Sequence, residues 1–178
     1  KDIFSHTEIF TPTQSNSPGP NLSVARAGHS ATLLPNGQVL IVGGKNDTTV
    51  HATAELFTPE LKPVPLTSTL QVARKDHRAV LADDRVWILG GTDATGHGVA
   101  LVEYFDTRDQ QFHVARSASG NELRLSQGRE DFDALFIEGL DIIVMAGGQI
   151  ENTQSAAIDV LDVQAMTITS AQSKYARD

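Results

Sequence analysis

Three short signatures recur along the chain in a fixed order, and this repetition limits the possible fold more than any other feature. The first is an arginine followed three residues later by histidine or phenylalanine. The second is an apolar run that ends in two glycines, and the third is an acidic residue followed by apolar positions and a turn. The arginines are Arg26, Arg74, Arg129 and, at the end of the chain, Arg177; the acidic residues are Glu8, Glu55, Glu103 and Asp159; the glycine pairs are Gly43-Gly44, Gly90-Gly91 and Gly147-Gly148.

The spacing of these signatures is regular. The arginines and the acidic residues both recur with a period of about 50 residues, which agrees with kelch blades and exceeds the ~40–45 residues of WD40 blades. One interval in each series is longer than the others, from Arg74 to Arg129 and from Glu103 to Asp159. These two intervals overlap, so one insertion explains both. We assign it to the polar segment 117–128.

Each repeat is predicted to contain four strands. In the first complete copy these are residues 29–34, 38–42, 54–58 and 62–67, and Asn36-Gly37 forms a strong hairpin signal between the first two. No stretch has helical periodicity, so the chain is predicted to be all-β. The positions expected to be buried are Leu33, Val39, Ile41, Val86, Ile88, Ile142 and Val144, with Phe57, Phe105 and Leu161 at equivalent packed sites.

Residues 26–44 resemble the kelch motif of the galactose-oxidase-like branch of β-propellers, and residues 54–59 resemble the third strand of that branch. The resemblance extends over essentially the whole chain. It implies kelch-type, four-stranded antiparallel blades arranged around a central channel. It says little about function, because propellers carry many unrelated activities.

The repeat boundaries predict one propeller segment. Residues 1–24 form an outer half-blade, 25–73, 74–128 and 129–175 form blades, and 176–178 begin another. Closed propellers have about 4–8 blades. We therefore expect an incomplete part of a 6–7-bladed ring, whose remainder lies in a longer chain or on another chain.

The composition of the chain limits the classes of partner that it could bind. The formal net charge is -8, which argues against nucleic acid, since such partners require a basic surface. No apolar run is long enough for membrane insertion. The resemblance to galactose oxidase would suggest copper held by tyrosine, histidine and a cysteine-linked tyrosine. The chain has no cysteine, so we predict no cofactor and no metal site in it. Secreted and cell-surface locations are common in this branch, and we favour them.

The repeated arginines suggest one candidate site. Arg26, Arg74 and Arg129 precede the innermost strand of each blade, so they could form a partial ring on one face and bind a carboxylate or phosphate. The alternative is structural, with each arginine bonded to backbone carbonyls or to a neighbouring acid such as Asp76 or Asp131. Because a residue repeated in every blade is usually required by the blade, we favour the structural role.

The other repeated polar residues are also predicted to be structural. His29 and His77 occupy matching positions, but Phe132 replaces them in the third copy, which indicates packing rather than a metal site. The acidic residues recur once per blade on the third strand, where they are expected to accept hydrogen bonds. We therefore assign no catalytic residue.

A second candidate site lies in loops of variable sequence. The connections between second and third strands, 45–51, 92–98 and 149–155, are expected on the same face as the arginine signatures, together with segment 117–128. Loops on a rigid scaffold often carry function. The candidate binding residues there are Asn46, Asp47, Asp93, His97 and Asn152. The alternative is that these loops are ordinary solvated connections.

Three functions remain open from the sequence. The first is a non-catalytic binding or scaffolding propeller that engages a protein or a glycan through its loop face. The second is part of a galactose-oxidase-like or sugar-epimerase-type enzyme whose catalytic residues lie outside this segment. The third is a structural module of a large surface assembly.

Overall fold

The computed structural model describes residues 2–10, 12–13 and 16–174; the predicted start of a further blade, including Arg177, lies outside the described residues. Short strands and tight turns follow one another, with one 3-10 helix at Glu138–Leu140. The strands are β1 (Glu8–Ile9), β2 (Ser17–Pro18), β3 (Ser30–Leu33), β4 (Val39–Val42), β5 (Ala54–Phe57), β6 (Pro63–Pro65), β7 (Arg78–Ala82), β8 (Arg85–Leu89), β9 (Glu103–Asp106), β10 (Gln111–Val114), β11 (Asp133–Ile137), β12 (Ile142–Ala146), β13 (Gln149–Ile150), β14 (Thr153–Gln154), β15 (Ala157–Asp162) and β16 (Thr167–Gln172).

The strands form three four-stranded antiparallel sheets, which confirms the predicted all-β, blade-like architecture of a β-propeller-type fold. The first sheet has the order β3-β4-β5-β6, the second β7-β8-β9-β10 and the third β11-β12-β15-β16. β1 and β2 pair as a separate two-stranded sheet, and β13 and β14 form a small hairpin inserted in the third sheet. We call the three large sheets the first, second and third blades.

Adjacent blades are joined through apolar cores. The innermost strands β3, β7 and β11 lie side by side, and each pair of blades encloses one buried cluster. Equivalent positions in the three blades are occupied by Phe57, Phe105 and Leu161. Each of them pairs with a residue of the second strand, the strand that ends at the paired glycines of its blade. All three are buried, as predicted.

Four of the positions expected in the core are not fully buried. Leu33 is 66% exposed, and Val39, Ile142 and Val144 are only half-buried. Strand side chains alternate between the two sides of a sheet, and these four lie on the sides of the first and third blades turned away from the second blade. The prediction for Leu33 is therefore wrong. Ile41, Val86 and Ile88 are buried, as expected.

The insertion at 117–128 is more than the polar loop that the sequence suggested. Bridges join Arg116 to Glu122 and Leu101 to Arg124, so the segment folds back as a hairpin. Leu123 and Leu125 are buried in the core between the second and third blades. The alternation of apolar and polar residues at 122–126 was the signal for this strand-like segment. In the described part of the chain no helix has the length and apolar character needed to cross a bilayer.

Candidate functional site

The three described arginines of the repeat are not on an open surface. Arg26 is 4% exposed, and Arg74 and Arg129 are completely buried. The open partial ring of guanidinium groups, which was the less favoured of the two roles considered, is therefore not formed. This corrects the assignment of Arg26, Arg74 and Arg129 as anion-binding residues, because a carboxylate or phosphate would have to displace the internal acceptors that already hold them.

Each buried arginine forms an ion pair with the acidic residue on the third strand of its own blade. Arg26 Nε lies 3.2 Å from Glu55 Oε1, and Arg129 Nη1 lies 2.8 Å from Asp159 Oδ2. Arg74 Nη2 contacts Glu103 Oε2 in the same way. The sequence held a signal for this pairing, since the acid follows its arginine at nearly the same interval in all three blades.

The same guanidinium groups also reach the end of the second strand. Arg26 Nη1 donates to the Gly43 carbonyl at 2.7 Å, and Arg74 Nη1 donates to the Gly90 carbonyl at 3.2 Å. The equivalent bond from Arg129 Nη2 goes to the Met145 carbonyl at 3.5 Å. The three repeated signatures therefore meet in one buried cluster per blade, which explains why they recur together.

The acidic partner closes the cluster by binding the chain that leads into the blade. Glu55 accepts a hydrogen bond from the Ser23 amide at 2.9 Å, and Glu103 accepts one from the Gln71 amide at 2.6 Å. Burial lowers the pKa of Arg74, while the charge of Glu103 opposes that effect. The pair tolerates burial because charge and hydrogen bonds compensate each other inside the protein.

The structural role was expected to use backbone carbonyls or a neighbouring acid such as Asp76 or Asp131, and neither of these two acids forms an ion pair with an arginine among the described residues. Asp76 binds Lys75 rather than an arginine, at 2.7 Å, and Asp131 occupies a turn with positive φ. Glu8 also differs from the other acids of its series. It is exposed and accepts a hydrogen bond from Asn16 Nδ2 at 3.4 Å.

His77 has a packing role, as predicted, whereas His29 at the matching position is exposed, so the prediction fails there. Its ring is buried, and its Nε2 lies 2.8 Å from Ser30 Oγ of the first blade. Burial, followed by the charge of Arg74, lowers the pKa of His77 to about 3. In the third blade Phe132 replaces it, and the Arg129 guanidinium lies 5.4 Å from the centre of the Phe132 ring. The described residues contain no cluster of three or more histidine, cysteine or acidic side chains that could hold a metal.

The loops between second and third strands are exposed but internally ordered. Asn46 Oδ1 accepts hydrogen bonds from the amides of Thr48 and Thr49 at 3.0 and 2.8 Å. Asp47 lies at the exposed tip of the same turn. Asn152 is exposed at the tip of the β13-β14 hairpin, with a φ of 65°. These three residues therefore present side chains from turns of different shape.

Asp93 and His97 are brought together in one turn of the second blade. Asp93 Oδ1 accepts hydrogen bonds from the amides of Thr95 and His97 at 2.8 and 3.0 Å, and the Thr95 hydroxyl lies 2.7 Å from His97 Nδ1. The hydrogen bond from the Thr95 side chain lowers the pKa of Asp93, against the effect of desolvation. Asp93 thus shapes the turn, while the His97 side chain remains exposed.

Sequence reasoning missed the polar contacts that join the second and third blades on this face. Lys75 Nζ contacts Asp76 and also lies 3.6 Å from Glu130 Oε2, which accepts a hydrogen bond from Thr92 Oγ1 at 2.9 Å. Burial works to lower the pKa of Lys75, but Asp76 and Glu130 outweigh it and raise the pKa. Lys75 and Glu130 each directly follow the repeated arginine of their blade, but the sequence does not indicate that these equivalent positions meet between blades.

The loop face is therefore a set of preorganised polar turns on a rigid base. The turns are residues 45–51, 92–98, 116–122 and 149–154, and we refer to them together as the loop face. Residues 92–98 and the end of the insertion are in direct contact, because a Cβ added to Gly98 would collide with the Gly128 carbonyl oxygen. Glycine at both positions permits this close approach.

Comparison with known proteins bears on the fold alone. No protein-family model and no curated protein sequence matches the chain. Among solved structures, the structure of YjhT superposes with a TM-score of 0.74 at 12% sequence identity. The alignment covers 100% of this chain and 68% of that one. This chain is therefore similar in fold to YjhT, with a sequence that has diverged far beyond what would carry a function across.

Proposed function

We propose that the chain is a non-catalytic, kelch-type binding segment that engages its partner through the loop face. The observation that carries the proposal is the contrast between a fixed base and variable turns. A buried ion pair between equivalent residues holds each blade, while the turns on that face differ in sequence and conformation. A scaffold of this kind supplies positioned polar groups at a low entropic cost.

A glycan suits the loop face better than a protein does. Its exposed tips carry short polar side chains, among them Asp47, Thr95, Ser119 and Asn152. Among the residues that the structure describes, the large apolar side chains with high exposure lie outside these turns. Protein interfaces usually depend on aromatic or large apolar contacts, whereas hydroxyl-rich ligands require donors and acceptors held in place. A protein partner is the second outcome that the experiment must separate.

The test compares two sets of exposed substitutions on a glycan array. The loop variant combines Asp47→Ala, His97→Ala and Asn152→Ala, one exposed tip from each blade. The control variant combines Glu60→Ala and Glu138→Ala, which are exposed at the opposite end of the blades. We expect the wild type and the control to bind the same glycans and the loop variant to lose them.

Two results would contradict the proposal. Equal binding by the loop variant would place the glycan site elsewhere. If no glycan on the array binds, a glycan ligand is excluded. A protein partner would then be sought with the same pair of variants.

A further inference from the structure

The end of the blades opposite the loop face contains a small polar cavity. It lies between the second and third blades, at the turns that join the first strand to the second and the third strand to the fourth. Its volume is about 210 Å³. That is smaller than pockets for drug-sized ligands, so only a small molecule would fit. The polar or aromatic residues that line it are Asp83, Asp84, Arg85, Trp87, Arg108 and Gln164.

The side chains that form this cavity do not follow the repeat. Trp87 and Tyr104 lie opposite each other on β8 and β9. The equivalent pair is Leu40 and Leu56 in the first blade, and Val144 and Val160 in the third. Aliphatic pairs are therefore sufficient to join strands at this position. The aromatic pair, and the arginine above it, are particular to the second blade.

The Arg85 guanidinium is held in place but poorly supplied with acceptors. Its carbon lies 4.7 Å from the centre of the Tyr104 ring. Nε is 4.0 Å from Asp106 Oδ2, beyond hydrogen-bond distance. Among the described residues, Nη1 has only the Met166 sulfur, at 3.9 Å. A carboxylate would be a far stronger acceptor than a thioether.

Asp106 is not a hydrogen-bond acceptor for Arg85, because Arg108 already binds both of its carboxylate oxygens. Arg108 Nε and Nη2 donate to Asp106 Oδ1 and Oδ2 at 3.0 and 2.6 Å. The Arg108 side-chain hydrogen bond is the main cause that lowers the pKa of Asp106 to about 2. Asp106 is thus a fixed carboxylate that orients Arg108 beside the cavity and leaves Arg85 available.

A second donor in the wall of the cavity has no acceptor. Trp87 is completely buried, and its Nε1 has no hydrogen-bond partner among the described residues. A buried N–H without a partner is unfavourable, and buried tryptophans usually have one. A ligand seated in the cavity would lie against this indole and change its surroundings.

Negatively charged side chains lie at the rim of the cavity. Asp83 and Asp84 are both exposed. Asp83 accepts a hydrogen bond from Gln164 Nε2 at 3.0 Å, which links the second blade to the third across the cavity. The described residues place no hydrogen-bond donor on the Asp84 carboxylate. The cavity therefore offers a guanidinium and a carboxylate that could each receive an external group.

We propose that this cavity binds a small zwitterion of the size of a free α-amino acid. The ligand carboxylate accepts hydrogen bonds from Arg85, and its ammonium group lies beside Asp84. This site is separate from the loop face, so the proposal does not depend on the proposed glycan binding.

The single tryptophan of the chain makes the site directly observable. Its indole N–H gives one resonance in a ¹H–¹⁵N spectrum, and Trp87 lines the cavity. The probes are L-alanine, acetate and ethylamine, each titrated at millimolar concentrations into the wild type. We expect L-alanine to shift the indole resonance saturably, and acetate and ethylamine to bind much more weakly, because each satisfies only one of the two charges.

Three variants test the assignment of charges. Arg85→Gln and Asp84→Asn should each weaken alanine binding by about tenfold or more. Asp47→Asn, an acid on the loop face, is the matched control and should leave binding unchanged. Both test positions are partly or fully exposed, so the variants should remain folded. The proposal is overturned by an indole resonance that alanine does not move, by equal binding to Arg85→Gln, or by acetate binding as tightly as alanine.

Discussion

Replacing Glu103 by glutamine tests whether the buried ion pairs hold the blades together. The side chains of Glu103 and Arg74 are almost completely inaccessible. Glutamine keeps the shape and can still accept the hydrogen bond from the Gln71 amide, but it removes the negative charge. Arg74 would remain buried with neutral acceptors alone, among them the carbonyl groups of Val72, Gly90 and Leu101.

The expected loss is large for a conservative change. Breaking a buried ion pair by removing one partner costs about 3–5 kcal/mol. Because glutamine retains one acceptor, we expect the lower end, about 3 kcal/mol in the free energy of unfolding. Most domains have only about 5–15 kcal/mol, so the variant should fold but unfold at a clearly lower urea concentration. The assay is urea unfolding at pH 7, followed by Trp87 fluorescence.

Two further variants make the result interpretable. Glu122→Gln changes the surface ion pairs of Glu122 with Arg116 and Arg124, at 3.3 and 2.8 Å, and should cost less than about 1 kcal/mol. The double variant Arg74→Met/Glu103→Leu removes both charges and should be more stable than Glu103→Gln, since no unpaired charge remains. If Glu103→Gln costs no more than Glu122→Gln, the ion pairs do not support the blades.

Three other changes test separate parts of the structure by the same urea assay. Phe105→Ala should cost about 3–5 kcal/mol, since it empties a completely buried site; a loss below about 1 kcal/mol would contradict the register. Gly91→Ala should destabilise by more than about 1 kcal/mol, because the residue has a φ of +86° and its Cβ would lie 2.5 Å from the Lys75 carbonyl oxygen; Gly120→Ala, at a similar φ of +85° with open space around it, is the control for crowding. His77→Phe should make the free energy of unfolding less dependent on pH. With a folded pKa of about 3 and an unfolded pKa near 6.5, the wild type should lose about 1.4 kcal/mol per pH unit as the pH falls below 6.5, or about 2 kcal/mol at pH 5. If the variant loses as much free energy of unfolding between pH 7 and pH 5 as the wild type does, His77 is not the cause of the pH dependence.

The fold could be predicted because its determinants recur at a fixed period. The Asn36-Gly37 turn, the apolar second strands and the paired glycines each specify local structure, and their repetition indicates the blades. The error at Leu33 has a different origin. The sequence shows that a strand has an apolar side, but whether a neighbouring blade covers that side depends on how the sheets are stacked.

The partners of the repeated polar residues were harder to predict than their structural role. Arg74 and Asp76 are two positions apart, so a local pair was a natural hypothesis, yet the guanidinium reaches Glu103 on another strand. Only the nearly constant interval between each arginine and the acid of its blade marks this contact. Lys75 and Glu130 lie at equivalent positions of neighbouring blades, but it is the stacking of those blades that brings them into contact.

Repetition also determines which residues are informative about function, although a break in the pattern is not sufficient evidence. His77 and Phe132 differ between blades, but both fill buried sites, so their difference concerns packing. Arg85 differs in kind, since its donors have no good acceptor and a buried indole N–H nearby has none among the described residues. Unmatched buried donors alone do not mark a site, since Arg129 Nε also has no hydrogen-bond partner among the described residues. In the second blade the donors of Arg85 and Trp87 belong to residues that line a cavity, and this combination is the chemical reason to look for a ligand there.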